Sequence, residues 1–261
     1  MERSTRAASA VSVEAGQVVL VIVAHPDDET FGCGSLIAHA AAQGAAVTVV
    51  CATRGEEGEV TDPDALAGRD LAEVRADELH AAAQLLGAAR VELLDYRDSG
   101  FDGPLDPRSL CDAPDDEVAG HVRRAVEEVH PDVVLVLDGS DGHRDHLCIR
   151  TAVERVLASM TAPPQLLLSC LARSVMRLWV EEMRAVRPDT VYLQMDPETL
   201  GTPDDQLVAV DTSHQLDLRE AAIALHRSQT SPYEGLSPEL RRAFLATDHV
   251  QVVDLGALVR S

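Results

Sequence analysis

The feature that most constrains the fold of this chain is a regular alternation of short apolar runs with longer stretches of helical periodicity. The apolar runs are rich in valine and leucine, as expected for strands that are buried on both faces of a sheet. The predicted strands span 18–24, 46–52, 90–95, 132–138, 165–170, 207–211 and 249–253. The predicted helices lie near 32–43, 69–87, 115–130, 145–160, 173–186, 214–228 and 237–246. This alternation is typical of βαβ units and predicts an α/β fold, with a Rossmann-like, largely parallel sheet and helices on both faces.

The chain has 261 residues, and no shift in composition marks a second domain, so we predict one domain over 17–261. Residues 1–16 lack the apolar core of a signal peptide and are expected to form a flexible N-terminal segment. Two loops rich in glycine, proline and aspartate, 54–68 and 99–116, follow predicted strands and are expected to act as lids. Within 160–206 a β-hairpin is an alternative to part of the predicted helix.

The net charge of the chain is −22, from 44 acidic and 22 basic residues. A surface this acidic argues against binding to nucleic acids or anionic membranes, both of which require basic surfaces. No apolar run approaches the roughly 20 residues that a membrane span needs. The five cysteines form no Cys-x-x-Cys pair, which is typical of buried thiols in a reducing compartment, and we predict a cytoplasmic location.

Two clusters of histidine and carboxylate residues follow two of the predicted strands. His25, Asp27 and Asp28 come directly after the run 18–23, and the segment 143–146 (His-Arg-Asp-His) follows the run 133–137. In open α/β sheets, ligands bind at the carboxyl edge of the strands. We therefore predict one metal site at this edge that takes side chains from both clusters.

The residue types fit a hydrolytic zinc centre, which uses three protein ligands and keeps one position open. His25 and Asp28 are three residues apart and share a face of a helical turn, as do His143 and His146. One histidine of the second pair would complete the ligand set. Asp27 would then take a proton from the attacking water, while the remaining histidine protonates the leaving amine or stabilises the oxyanion. Alternatively, the two aspartates serve only as a helix cap and first-turn acids.

Other functional classes fit the sequence less well. The segment Gly32-Cys33-Gly34 begins like a dinucleotide-binding fingerprint, but Ile37 stands where the third glycine belongs, and no acidic residue follows at the required distance. A Gly-x-Ser-x-Gly nucleophile elbow is absent from the sequence. A metal-binding protein without turnover remains an alternative, although it would not require Asp27.

The segment 25–34 (HPDDETFGCG) resembles the signature of the PIG-L/LmbE-like family of zinc-dependent de-N-acetylases, and 142–146 (GHRDH) resembles its second motif. The resemblance covers roughly 17–250. Further segments similar to the family are 53–58, Arg75 with Glu78, 86–87, 96–100 and 226–229.

The resemblance implies a role for each matching residue. His25, Asp28 and His146 would be the zinc ligands. Asp27 would be the general base, and His143 the acid or oxyanion partner, oriented and charge-stabilised by Asp145.

The resemblance also implies substrate contacts. Arg75 and Asp98 would bind sugar hydroxyls, and His226 would lie at the rim of the site. Two positions depart from the family. Arg144 stands where many members have proline, and Asp141 stands where the mycothiol-pathway deacetylases have tyrosine. An aspartate at position 141 adds negative charge near the metal, which we expect to favour a hydroxyl-rich or cationic substrate.

The function predicted from the sequence is a metal-dependent hydrolase that removes the N-acetyl group from an N-acetylglucosamine-type sugar conjugate. The alternative is an amidase that cleaves a larger acyl amide in thiol-conjugate or antibiotic metabolism. The expected cofactor is Zn²⁺, although a set of two histidines and one carboxylate also suits Fe²⁺. The expected partner is a small-molecule amino-sugar conjugate, and self-association into a homo-oligomer is left open.

Overall fold

A computed structural model describes residues 13–60, 62–196 and 198–258 of the chain. Their seven strands form one sheet with the order β3-β2-β1-β4-β5-β7-β6. The strands are β1 (Val18–Val23), β2 (Ala46–Thr53), β3 (Arg90–Tyr96), β4 (Val133–Leu137), β5 (Gln165–Cys170), β6 (Val208–Asp211) and β7 (Thr247–Val252). All seven coincide with predicted strands to within about three residues at either end, which is the usual uncertainty of such boundaries.

The first five strands pair parallel with one another, whereas β7 pairs antiparallel with both β5 and β6. The order of the strands reverses between β1 and β4, because β2 and β3 lie on one side of β1 and β4 and β5 on the other. Such a reversal opens a crevice at the carboxyl ends of the two strands. Both predicted clusters follow β1 and β4, so the topology brings them to this crevice.

Ten α-helices are present in the described ranges. They are α1 (Asp28–Phe31), α2 (Gly34–Ala42), α3 (Pro63–Leu66), α4 (Leu71–Leu85), α5 (Asp115–Val129), α6 (Arg144–Ala158), α7 (Arg173–Val186), α8 (Leu216–Ile223), α9 (Pro238–Leu245) and α10 (Leu255–Leu258).

The helices cover both faces of the sheet, because successive residues of the central strands point to opposite faces. Leu20 and Ile22 of β1 belong to a core that includes α5 and α6. Val19 and Val21 belong to a second core that includes α2, α4 and α8. A third cluster around Trp179 joins α7 to α9. The predicted α/β fold, with a largely parallel sheet and helices on both faces, is confirmed.

Three parts of the chain differ from the sequence prediction. The helix predicted at 32–43 is α2, and a separate short helix that was not predicted, α1, precedes it. Gly32 and Cys33 lie between the two helices, and a Cβ atom at Gly32 would lie 2.5 Å from Leu137 Cδ2. The helix predicted at 214–228 is confined to α8. In 160–206, excluding residue 197, the chain forms β5, α7 and two short 3₁₀ turns rather than a hairpin.

The predicted flexible segment 1–16 falls mostly on residues 1–12, which lie outside the described residues. Among the helices of the described part of the chain, none is long and apolar enough to cross a membrane.

Candidate metal centre

The turn after β1 places the Asp28 carboxylate beneath the end of the strand. Its Oδ2 atom accepts hydrogen bonds from the backbone N–H groups of Ala24 at 3.2 Å and His25 at 2.8 Å. The preceding residue, Asp27, has a φ of 124°, a conformation that L-residues other than glycine rarely adopt. Strained backbone of this kind clusters at functional sites, where the surrounding structure enforces it.

Two histidine nitrogens converge on the same carboxylate oxygen. Asp28 Oδ2 lies 3.5 Å from His25 Nδ1 and 3.2 Å from His146 Nε2. His146 Nε2 is buried and makes no hydrogen bond within the described part of the chain, even though this oxygen is close. Ligand atoms around a tetrahedral Zn²⁺ lie about 3.4 Å apart, given metal–ligand bonds of about 2.0–2.2 Å. The unsatisfied nitrogen and the two distances therefore fit a divalent metal beside Asp28. Candidate ligand atoms that all lie within 4.8 Å of one another are offered by His25, His143 and His146, and also by His25, Asp98 and Asp145.

Each of the two histidines is oriented by a carboxylate on its other nitrogen. Asp145 Oδ2 lies 3.1 Å from His25 Nε2, and Asp141 Oδ2 lies 2.7 Å from His146 Nδ1. Such pairs fix the tautomer, because the nitrogen that faces the carboxylate carries the proton. In the neutral imidazoles, the opposite nitrogens, Nδ1 of His25 and Nε2 of His146, carry the lone pairs that a metal would use.

The carboxylates at the centre are held in their ionised form. Burial raises the pKa of Asp28, but His146 and His25 outweigh this effect and keep it well below its ordinary value. The pKa of Asp141 is also lowered, since burial is outweighed by His146. Conversely, burial lowers the pKa of His146, but Asp141 and Asp28 raise it to about 10. The resulting concentration of negative charge attracts a cation.

The Asp27 carboxylate adjoins the candidate ligands and is held by Arg75. Asp27 Oδ2 lies 3.0 Å from Arg75 Nη2, which also donates to the Pro26 carbonyl at 2.6 Å. Arg75 Nη1 donates to the Gly55 carbonyl at 2.7 Å. Burial raises the pKa of Asp27 to about 6, against the opposing effect of Arg75. A carboxylate with a pKa in this range suits proton transfer near neutral pH.

His143 forms the N-cap of α6 through its ring. Its Nδ1 atom accepts the backbone N–H of Asp145 at 3.2 Å, so in the neutral imidazole the proton resides on Nε2. Burial, together with the neighbouring His25 and His146, lowers the pKa of His143 to about 4. The neutral ring lies 4.5 Å from the His25 ring, between centroids, and offers an N–H donor beside the candidate metal position.

The structure brings most of the predicted site residues to one cavity of about 840 Å³. Parts of both predicted lid loops also line it, at 57–59 and 100–102. The predicted residues that line the cavity are His25, Asp27, Asp28, Arg75, Asp98, His143 and His146.

Two predicted roles differ from the observed contacts. The Asp145 carboxylate contacts His25 rather than the His143 ring, which it reaches only through its backbone N–H. Arg75 is buried and lines the cavity; its two terminal nitrogens donate to protein oxygens, its Nε atom has no hydrogen-bond partner within the described residues, and its contact with a sugar stays a prediction. His226 is not at the rim. Its side chain is 0% exposed and bonds to Glu29, because α8 packs behind α1.

Two functional contacts were not identified in the sequence. Asp141 was noted only as a charge near the metal, yet it orients His146; its spacing of five residues from a histidine carries no recognised pattern. Glu29 accepts the backbone N–H of Asp27 at 2.9 Å and so supports the strained turn. The only sequence signal for this contact is the presence of a third acid directly after the two aspartates.

Comparisons with known proteins agree with this geometry. The family model for PIG-L, described as GlcNAc-PI de-N-acetylase, matches residues 20–157. A 1D-myo-inositol 2-acetamido-2-deoxy-alpha-D-glucopyranoside deacetylase from Geodermatophilus obscurus is 31% identical over 90% of this chain and 91% of its own length. The enzyme of the same name from Salinispora arenicola is 35% identical over 81% of this chain and 75% of its own length.

Two solved structures share the fold. The N,N'-diacetylchitobiose deacetylase from Pyrococcus horikoshii has a TM-score of 0.65 at 20% identity, over 93% of this chain and 85% of that one. A deacetylase from the biosynthesis pathway of teicoplanin has a TM-score of 0.59 at 18% identity, over 91% and 99%. The structural similarity therefore extends over nearly the whole chain.

Proposed function

The chain belongs to the PIG-L family of de-N-acetylases, and from this premise we propose that it removes the N-acetyl group from an N-acetylglucosamine-type sugar conjugate by metal-dependent hydrolysis. Its relatives at 30% identity or more are named as deacetylases of an acetamido sugar joined to inositol. These names do not favour the alternative of an amidase for larger acyl groups. The proposed substrate is accordingly a small amino-sugar conjugate.

The observation that carries the metal assignment is the unsatisfied His146 Nε2 atom, which faces the Asp28 carboxylate. His25, Asp28 and His146 would hold Zn²⁺, with Fe²⁺ as the alternative that suits the same ligand set. When bound, the metal would supply Lewis acidity that acidifies water and polarises the acyl oxygen. We extend the proposal to a cytoplasmic enzyme, on the basis of its unpaired cysteines.

The residues around the ligands would move one proton through the reaction. The Asp27 carboxylate accepts a proton from water as the water oxygen bonds to the acyl carbon. The Nε2–H group of His143 donates a hydrogen bond to the acyl oxygen as negative charge develops on it. Asp27 then returns its proton to the amide nitrogen as the C–N bond breaks, which releases acetate and the free amine.

Arg75 and Asp98 support this chemistry from either side of the ligands. Arg75 would fix the orientation of Asp27. Asp98 lines the cavity, and its Oδ1 lies 3.4 Å from His25 Nε2. Burial raises the pKa of the Asp98 carboxyl, but His25 outweighs this effect and holds the pKa well below its ordinary value. Asp98 would therefore be a carboxylate that accepts a hydrogen bond from a sugar hydroxyl.

The proposal is tested by measuring acetate release from methyl 2-acetamido-2-deoxyglucoside. The enzyme is purified without oxygen, stripped with a chelator and reloaded with Zn²⁺ or Fe²⁺. We expect one equivalent of metal to bind and acetate release to depend on it. Stoichiometric metal without acetate release from this or from inositol-linked substrates would contradict the proposed reaction, and failure to bind either metal would contradict the ligand set.

A further inference from the structure

The aromatic residues of this chain are concentrated around one cavity. The sequence contains only seven phenylalanine, tyrosine and tryptophan residues. All but Tyr96 line the cavity that contains the candidate metal centre: Phe31, Phe101, Trp179, Tyr192, Tyr233 and Phe244. A cavity that bound only the hydroxyl groups of a sugar would not require so many aromatic residues.

The six residues divide into two groups by burial. Trp179, Tyr233 and Phe244 are between 4% and 9% exposed and belong to the core cluster that joins α7 to α9, which accounts for them structurally. Phe31, Phe101 and Tyr192 are only partly buried, and of these Phe31 and Tyr192 also pack against that cluster. We refer to these three as the apolar wall, because they present aromatic surface to the cavity.

The apolar wall begins at the candidate catalytic histidine. The Phe101 ring lies edge-on to His143, with 5.6 Å between centroids. Tyr192 lies 5.3 Å from Phe101, and 5.7 Å separate Tyr192 from Trp179 of the core cluster, between centroids. Edge-on contacts therefore link the candidate catalytic histidine to this cluster through Phe101 and Tyr192.

The loop that carries Phe101 is held in place by Arg144. The guanidinium of Arg144 donates to the backbone carbonyls of Gly100 at 2.7 Å and Asp102 at 2.6 Å, the residues on either side of Phe101. It also donates to the carbonyls of Ser99 and Gly103. These contacts hold the loop in place without a bound ligand. Substrate binding would therefore cost little conformational entropy for ordering the loop.

We propose that the apolar wall binds an apolar aglycone, an aryl or alkyl group linked glycosidically to the amino sugar. This inference rests on the proposed function and specifies its substrate class. An acetamido group beside His143 would place the sugar next to Phe101, and Tyr192, the next ring along, would then offer aromatic surface to a group attached to the sugar. The cavity of about 840 Å³ is near the upper end of the range for small-molecule sites, which is roughly 300–1000 Å³. Flat apolar groups pack well on aromatic faces and edges.

The experiment compares the methyl and benzyl glycosides of N-acetylglucosamine, of the same anomer, with the metal-loaded full-length protein. We expect kcat/KM for the benzyl glycoside to be about tenfold higher, mainly because of a lower KM, since its phenyl ring is transferred from water to the apolar wall. Equal kcat/KM values for the two substrates would overturn the inference while leaving the proposed reaction intact. No acetate release from either substrate would instead contradict the proposed function.

Variants of the wall locate the effect. In Tyr192→Ser and in Phe101→Ala, the benzyl-to-methyl ratio of kcat/KM should fall towards one. The matched control is Leu178→Ala, an apolar residue on α7 that is 52% exposed and outside the cavity lining, and it should keep the wild-type ratio. An unchanged ratio in both wall variants would overturn the inference.

A third substrate, the N-hexanoyl analogue of the methyl glycoside, separates the aglycone from the acyl group. We expect the wild-type enzyme to cleave it more slowly than the N-acetyl compound. If it is instead preferred, and if this preference is lost in the wall variants, then the wall binds the acyl chain and the assignment to an aglycone is wrong.

Discussion

The side chain of His226 is joined to Glu29 by a hydrogen bond of 2.9 Å between Nε2 and Oε1, and both side chains are 0% exposed. The other oxygen of Glu29 accepts the backbone N–H of Asp27 at 2.9 Å. Glu29 of α1 thereby connects the segment after α8 to the strained turn that presents Asp27. His226 lies behind the site and contacts this turn through Glu29.

Two variants of His226 should distinguish the contribution of its packing from that of its hydrogen bond to Glu29. His226→Leu leaves the buried Glu29 carboxylate without its histidine partner, and we expect it to lower the free energy of unfolding by about 3 kcal/mol and to reduce kcat. His226→Gln places an amide N–H near the position of Nε2, and Nδ1 makes no hydrogen bond within the described residues. The Gln variant should therefore recover most of both quantities, measured by denaturant unfolding and acetate release. Equal losses of stability and of kcat in both variants would show that neither quantity depends on the hydrogen bond to Glu29.

The contact between His226 and Glu29 should also make the stability of the protein depend on pH. Burial lowers the pKa of His226, but Glu29 and Asp27 outweigh it and leave the pKa raised. A raised pKa in the folded state gives stability that is fully present below the unfolded-state value of about 6.5 and is lost as the pH rises through the folded-state pKa. The free energy of unfolding of the wild type minus that of His226→Gln should therefore be largest near pH 6 and decrease above it. A difference that is constant from pH 6 to 9 would contradict the raised pKa.

The orienting carboxylate of His146 should control metal affinity. Asp141→Asn removes the charge that fixes the His146 tautomer, and we expect metal affinity to fall by roughly 10–100-fold. A chelator competition assay measures this directly. Asp95→Asn is the control, since the Asp95 side chain is 97% exposed and makes only a long ion pair at 3.8 Å. Equal affinities of Asp141→Asn and the wild type would mean that Asp141 does not orient a ligand.

Asp27 should be required for turnover but not for metal binding. Asp27→Asn keeps the size of the side chain and removes its capacity to accept a proton, so kcat should fall by roughly 10²–10⁴-fold. Metal content, measured on the purified variant, should stay at the wild-type level because Asp27 is not one of the three converging residues. Wild-type turnover in this variant would exclude Asp27 as the base.

The parts of this molecule that sequence could predict are those specified locally. The strands were predictable because burial on both faces gives continuous apolar runs, as in Val18–Val23. The candidate ligands were predictable because His25 and Asp28 are close in sequence and follow such a strand. Contacts between distant segments were not predictable in this way. The Asp145 carboxylate reaches His25 across 120 positions, and His226 reaches Glu29 across 197, because helices from different parts of the chain pack at one edge of the sheet.

Arg144 should control the loop that carries Phe101. In Arg144→Ala the carbonyls of Gly100 and Asp102 lose their donor, so the loop should become more mobile and more rapidly cleaved in limited proteolysis. The benzyl-to-methyl ratio of kcat/KM should fall as well, since binding must then order the loop. Arg155→Ala, on the same helix but paired with Asp116 at the surface, is the control and should change neither quantity. A wild-type ratio in Arg144→Ala, despite faster proteolysis of the loop, would show that Phe101 need not be held in advance for the aglycone to bind.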